Sequence, residues 1–129
     1  MSSARELINA LSELLGIASS ARIYDHRGKI KPVKKRRDRV VVSLLVTMTA
    51  AHCVTRLVHA LRLRPDTQIM DWMQPADLWI EFTDASGTPI VTLGLLRPGW
   101  VRWDPYGDLE LADPALAEEM ISALVPERG

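Results

Sequence analysis

The stretch Asp77–Asp104, DLWIEFTDASGTPIVTLGLLRPGWVRWD, decides how the rest of the chain must fold. It reads as three short strands joined by two turns. DASGTP links the first pair and RPG the second, with Pro98-Gly99 suited to the centre of a type II turn. Within the strands the apolar residues alternate: Leu78, Ile80 and Phe82, then Val91, Leu93 and Leu95, then Val101 and Trp103. A sheet that is apolar on one face needs a second layer, and the helical segments around this stretch can supply it.

Upstream, Ser3-Ala4-Arg5-Glu6 is a capping box that opens a helix with Leu7, Ile8, Leu11, Leu14 and Leu15 on one face and Gly16 placed to end it. Ala21–Asp25 has the length of a short strand. Val40–Thr49 carries apolar residues on both faces, which predicts a central strand covered on two sides. From Ala50 to Leu63 the period becomes helical, and Pro65 stops it. Residues 66–76 read as a connection too apolar to be fully exposed, because they contain Ile69, Met70, Trp72 and Met73. They fit a cover over the core rim or a contact surface. DPYGDLELADP reads as a turn-rich return, after which Asp113-Pro114 sets the cap and first residue of a last helix.

The expected fold class is therefore α+β: a mainly antiparallel sheet of four to five strands covered by helices, in the order α-β(β)-α-β-β-β-α. With 129 residues and 47% hydrophobic content, residues 1–129 form one domain. No apolar run approaches the roughly 18–20 residues needed to span a bilayer, and no signal peptide is evident. Cys53 is the single cysteine, which excludes an intrachain disulfide and fits a cytoplasmic protein.

Net charge is zero, yet it is unevenly placed. Residues 1–64 hold 13 Lys/Arg and 4 Asp/Glu, whereas residues 65–129 hold 3 Lys/Arg and 12 Asp/Glu. Such halves can neutralise each other within one fold, drive homo-oligomers, or present a basic face to an acidic partner. Between Arg27 and Arg39, eight basic residues meet one acid, Asp38, in a segment that Pro32 keeps from being a helix. Lys34, Lys35, Arg36, Arg37 and Arg39 would contact nucleic-acid phosphates with strong salt dependence. Only Tyr24 offers an aromatic nearby, and no helix-turn-helix or zinc-finger pattern accompanies them.

Thr49-Ala50-Ala51-His52-Cys53 resembles the segment around the catalytic histidine of chymotrypsin-like serine proteases. The likeness stops at five residues. The nucleophile motif GDSGG is absent, the chain is far too short for two barrels, and helical phase turns His52 to solvent. His52 and His59 lie about 10.5 Å apart along a helix, too far to share one ion, and no other ligand spacing supports a metal. Asp104, Asp108 and Glu110 cluster without a nucleophile or a cofactor motif and read as turn acids. No catalytic residue, metal or cofactor is assigned.

Trp72, Trp79, Trp100 and Trp103 fall within 32 residues. By alternation Trp79, and Trp100 with Arg102, occupy the less buried side of the sheet. Trp and Arg together are enriched at protein-binding hot spots, and a second helix layer is the competing explanation for an apolar face. The segment from Asp77 to Ile121 resembles small bacterial α+β proteins of no assigned biochemistry, in which a strand like DLWIEFTD leads through IVTLGLL to a Trp-bearing strand and a short LADP helix. That resemblance covers about a third of the chain and implies a stand-alone bacterial domain. Some of those proteins look like immunity or conflict-system accessories, which act by binding.

The expected function is a non-catalytic protein-interaction module, with contacts from Lys34, Lys35, Arg36, Arg37, Arg39, Trp79, Trp100 and Arg102. The alternatives are a nucleic-acid-binding accessory using residues 27–39 and an enzyme whose site is assembled only in space.

Overall fold

The computed structural model describes residues 3–25 and 43–125. The basic segment 27–39, with Lys34, Lys35, Arg36, Arg37 and Arg39, lies outside the described residues, as do Val40, Val41 and Val42. The elements are α1 (Ala4–Gly16), β1 (Ser20–Asp25), β2 (Ser43–Met48), α2 (Ala51–Ala60), β3 (Leu78–Thr83), β4 (Pro89–Leu96), β5 (Trp100–Trp103), β6 (Gly107–Glu110) and α3 (Pro114–Leu124). The strands form one antiparallel sheet in the order β2-β1-β3-β4-β5-β6. The class is α+β, as expected, with six strands rather than four to five.

Cross-strand register places one apolar face in line. Ala21 sits opposite Phe82 and Ile23 opposite Ile80; Phe82, Ile80 and Leu78 then meet Val91, Leu93 and Leu95. Leu95 meets Val101, and Val101 meets Leu109. This face is buried together with Leu7, Leu11 and Leu15 of α1, Val54 and Leu57 of α2, and Ala117 and Ile121 of α3. The α1 stripe recurs every four residues, so each side chain reaches the same face of the sheet. Burying each leucine contributes about 1.5–3 kcal/mol, as an upper estimate.

The helix ends follow the local code. Ser3 accepts from the Glu6 amide at 3.2 Å and Glu6 Oε1 accepts from the Ser3 amide at 3.0 Å. Asp113 accepts from the Leu116 amide at 3.1 Å ahead of Pro114.

Four expectations need correction. Among the described residues Val40–Thr49 does not supply a central strand. Its described part, β2, pairs with β1 alone and is the outermost strand of the described sheet. The register slips between Ile23 and Tyr24, so Leu44 stands opposite Tyr24 and remains exposed. The return after Trp103 contains a strand, β6, whose four residues are too few to show an alternating pattern. The second helix ends at Ala60, well before Pro65, and by Leu63 the chain already bridges to Leu111. Finally, Pro98-Gly99 is not a type II pair: the Arg97–Pro98 bond is cis, Gly99 has no positive φ, and its amide donates to the Leu96 carbonyl at 3.2 Å. That is the type VI arrangement, with cis-proline third of four.

Candidate functional site

The helices leave the other face of the sheet to a different cover. Across it, Tyr24, Trp79, Gly94, Arg102 and Asp108 stand opposite one another on successive strands from β1 to β6. Trp100 lies on the same face, between Leu96 of β4 and Glu110 of β6. Trp79, Trp100 and Arg102 therefore share one face, with Gly94 separating the first from the other two.

The chain between α2 and β3 forms a strap that runs along β6 and turns toward this face. Arg64 donates its amide to the Glu110 carbonyl at 2.9 Å, and Thr67 Oγ1 accepts from the Glu110 amide at 2.7 Å. Met70 and Asp108 exchange both backbone hydrogen bonds, at 2.9 and 2.7 Å. At its far end the Asp77 amide donates to the Leu95 carbonyl at 2.7 Å, and Asp77 Oδ2 accepts from the Arg97 amide at 2.9 Å. Two glycines make the close approach possible. A Cβ on Gly107, which has φ +132°, would lie 2.8 Å from Ile69 Cγ2. A Cβ on Gly94 would lie 2.9 Å from Ala76 Cβ and 3.0 Å from the Trp79 ring.

Asp108 is the node of the strap. Its side chain is 1% exposed and accepts three bonds: from Arg102 Nε at 2.9 Å, from Arg102 Nη2 at 3.2 Å, and from the Trp72 amide at 2.9 Å. A two-pronged guanidinium–carboxylate pair fixes direction as well as distance. The hydrogen bond to Asp108 holds the Arg102 guanidinium above its ordinary pKa, partial burial opposes this, and the nearby charges of Asp108, Asp104 and Asp71 add to the rise.

Held this way, Trp72 packs edge-on against Trp100, with ring centroids 5.4 Å apart and planes at 76°. Trp72, Gln74, Leu96, Arg97, Pro98 and Trp100 line a slot of about 240 Å³. Trp72 is 45% exposed, and the following Met73 is 84% exposed at φ +57°. Of the six exposed large hydrophobic residues among those described, Ile69, Trp72 and Met73 lie on the strap and Tyr106 neighbours Gly107, against which Ile69 packs. The strap's apolar residues Ile69, Met70, Trp72 and Met73 lie at the rim or contact surface that their composition predicts, whereas Asp108 is not a turn acid but a buried ion-pair partner. Only the six-strand register identifies Asp108 as the partner of Arg102.

The remaining sequence candidates stay apart from this face. His52 is exposed on α2, its Nε2 3.5 Å from Cys53 Sγ. His59 Nε2 accepts from Arg62 Nη1 at 2.9 Å. Among the described residues no three His, Cys, Asp or Glu side chains gather in a way that could hold a metal ion, and no helix is long and apolar enough to cross a membrane.

The fold and this face define an α+β protein with an open, strapped sheet face. Comparisons with family models, curated proteins and solved structures give no match for the chain.

Proposed function

We propose that this chain is a non-catalytic protein-interaction module whose contact surface centres on Trp72, Met73 and Trp100, held by the Arg102–Asp108 pair. The observation that carries this reading is the exposed strap: Trp72 and Met73 turn apolar surface to solvent at a point pinned by a buried carboxylate. Scattered single hydrophobic residues need no explanation, but a gathered patch with a rim of polar groups is what interaction surfaces present. Tryptophan at the centre of such a patch is a typical hot spot. Arg102 acts by positioning, since its guanidinium is committed to Asp108. Trp79 continues the same face on β3.

The test is a pull-down from the native host with wild type, Trp72→Ala and Trp100→Ala, each split into nuclease-treated and untreated halves. The reading expects a stoichiometric protein that survives nuclease with wild type and is lost with both variants, whose circular dichroism stays native. A second reading, nucleic-acid binding, rests on the eight basic residues of 27–39. Partners that vanish on nuclease treatment and are indifferent to Trp72 would favour it and sink the first.

A further inference from the structure

The slot beside the Trp72–Trp100 pair also indicates what kind of partner segment fits it. This inference rests on the interaction reading and narrows it. At about 240 Å³ the slot falls below the roughly 300 Å³ at which small-molecule pockets begin, yet it has room for one or two side chains. Its walls are two indole rings, Leu96 and Pro98, with Gln74 and Arg97 at the margin. Aromatic-walled slots of this kind take proline-containing extended peptides, whose preformed backbone loses little entropy on docking.

The charges nearby give the segment a sign. Arg64 is paired with Asp66 and Glu110, Arg97 with Glu118, and Arg102 with Asp108. Asp71, next to Trp72, and Asp104, two residues beyond Arg102, are both exposed and act on Arg102 only through space. Neither has an ion-pair partner among the described residues. Among the described residues the arginines near the slot are thus matched, and the unpaired charges, Asp71 next to Trp72 and Asp104 past the far end of β5, are negative.

We propose that the Trp72–Trp100 slot receives an extended, proline-containing segment of a partner protein that carries arginine or lysine beside the proline. Proline seats against the corner that the two touching indoles make over Leu96 and Pro98, and the cationic side chains reach Asp71 and Asp104. The aromatic faces add cation–π attraction for an arginine lying across them.

The probe is a synthetic twelve-residue peptide with two prolines three residues apart and two flanking arginines, compared with the same peptide carrying glutamates in place of the arginines. Binding is followed by the indole N–H resonances of the full chain. The arginine peptide is expected to shift the Trp72 and Trp100 signals, to leave Trp103 in place, and to bind more weakly as salt rises. Asp71→Lys with Asp104→Lys should weaken it about tenfold or more and improve binding of the glutamate peptide. Those carboxylates are exposed, so the double variant is expected to fold. Equal or tighter binding of the glutamate peptide to wild type, or no movement of either indole at millimolar peptide, overturns the inference. The interaction module would still stand if a partner from the host depended on Trp72, so the two failures are separable.

Discussion

Arg102 on β5 and Asp108 on β6 face each other across the strand pair and join through two hydrogen bonds, at 2.9 and 3.2 Å, with Asp108 sealed from solvent. The same carboxylate holds the Trp72 amide at 2.9 Å. One buried charge therefore connects the last hairpin to a strap that has no regular secondary structure. Removing the carboxylate leaves a largely covered guanidinium without its partner and releases Trp72 as well. Asp108→Ala is expected to cost about 3–5 kcal/mol in denaturant unfolding. Arg102→Met, which removes the other charge but keeps the aliphatic stem, should also destabilise. The double variant Arg102→Met/Asp108→Leu should recover part of the loss. A double variant no more stable than Asp108→Ala would show that the pair is not the source of the effect.

Gly94 lets the strap and the Trp79 ring share one spot on β4. An added Cβ would sit 2.9 Å from Ala76 Cβ, closer than real Cβ atoms approach one another. Gly94→Ala is expected to destabilise by about 1–3 kcal/mol through overpacking. Ala76→Gly removes the opposing methyl and should restore part of that in the double variant. Strictly additive effects of the two changes would place the strain elsewhere.

How much of this was legible from sequence depends on range. The capping box of α1 and the Asp113-Pro114 start of α3 are short-range signals, and both are present in the structure. The alternation in β3, β4 and β5 is also local, and it correctly separates Leu78, Ile80 and Phe82 from Trp79. Strand order is not local. Nothing within Val40–Thr49 reveals that β1 pairs with β3 on its other side and leaves β2 outermost among the described strands. Asp108 shows the same limit, because its role depends on a register partner six residues back and on a strap amide 36 residues earlier. The basic segment 27–39 lies outside the described residues, so the fold neither gathers it with Trp100 nor separates it.

The β3–β4 turn provides a pH test. Asp84 accepts from the Ser86 hydroxyl at 2.7 Å and from the Ser86 and Thr88 amides at 2.9 and 3.0 Å. The Ser86 hydroxyl, followed by the Thr88 amide, draws its pKa below the ordinary value of 3.8. A depressed carboxylate contributes stability that is present above the unfolded value and is lost as pH falls through the folded one. Ser86→Ala should raise the Asp84 pKa toward 3.8 in a carboxyl-carbon titration by NMR and shrink the acid-side loss of stability. An unmoved titration midpoint would remove the hydroxyl as its cause.

Met73 places a long apolar side chain at φ +57°, a left-handed conformation that residues other than glycine, asparagine and aspartate rarely take, and leaves it 84% exposed. Neither burial nor a favourable backbone accounts for methionine at this position, whereas contact with a partner would. Met73→Gly fits the backbone angle without a Cβ and should leave unfolding stability unchanged or slightly raised. The same change removes the side chain beside Trp72 and should weaken partner binding several-fold in a direct titration. Met73→Leu retains the apolar surface and should bind nearly as well as wild type. If Met73→Gly instead unfolds more readily and binds as before, the side chain serves the fold, and the contact surface must be drawn around Trp72 and Trp100 without it.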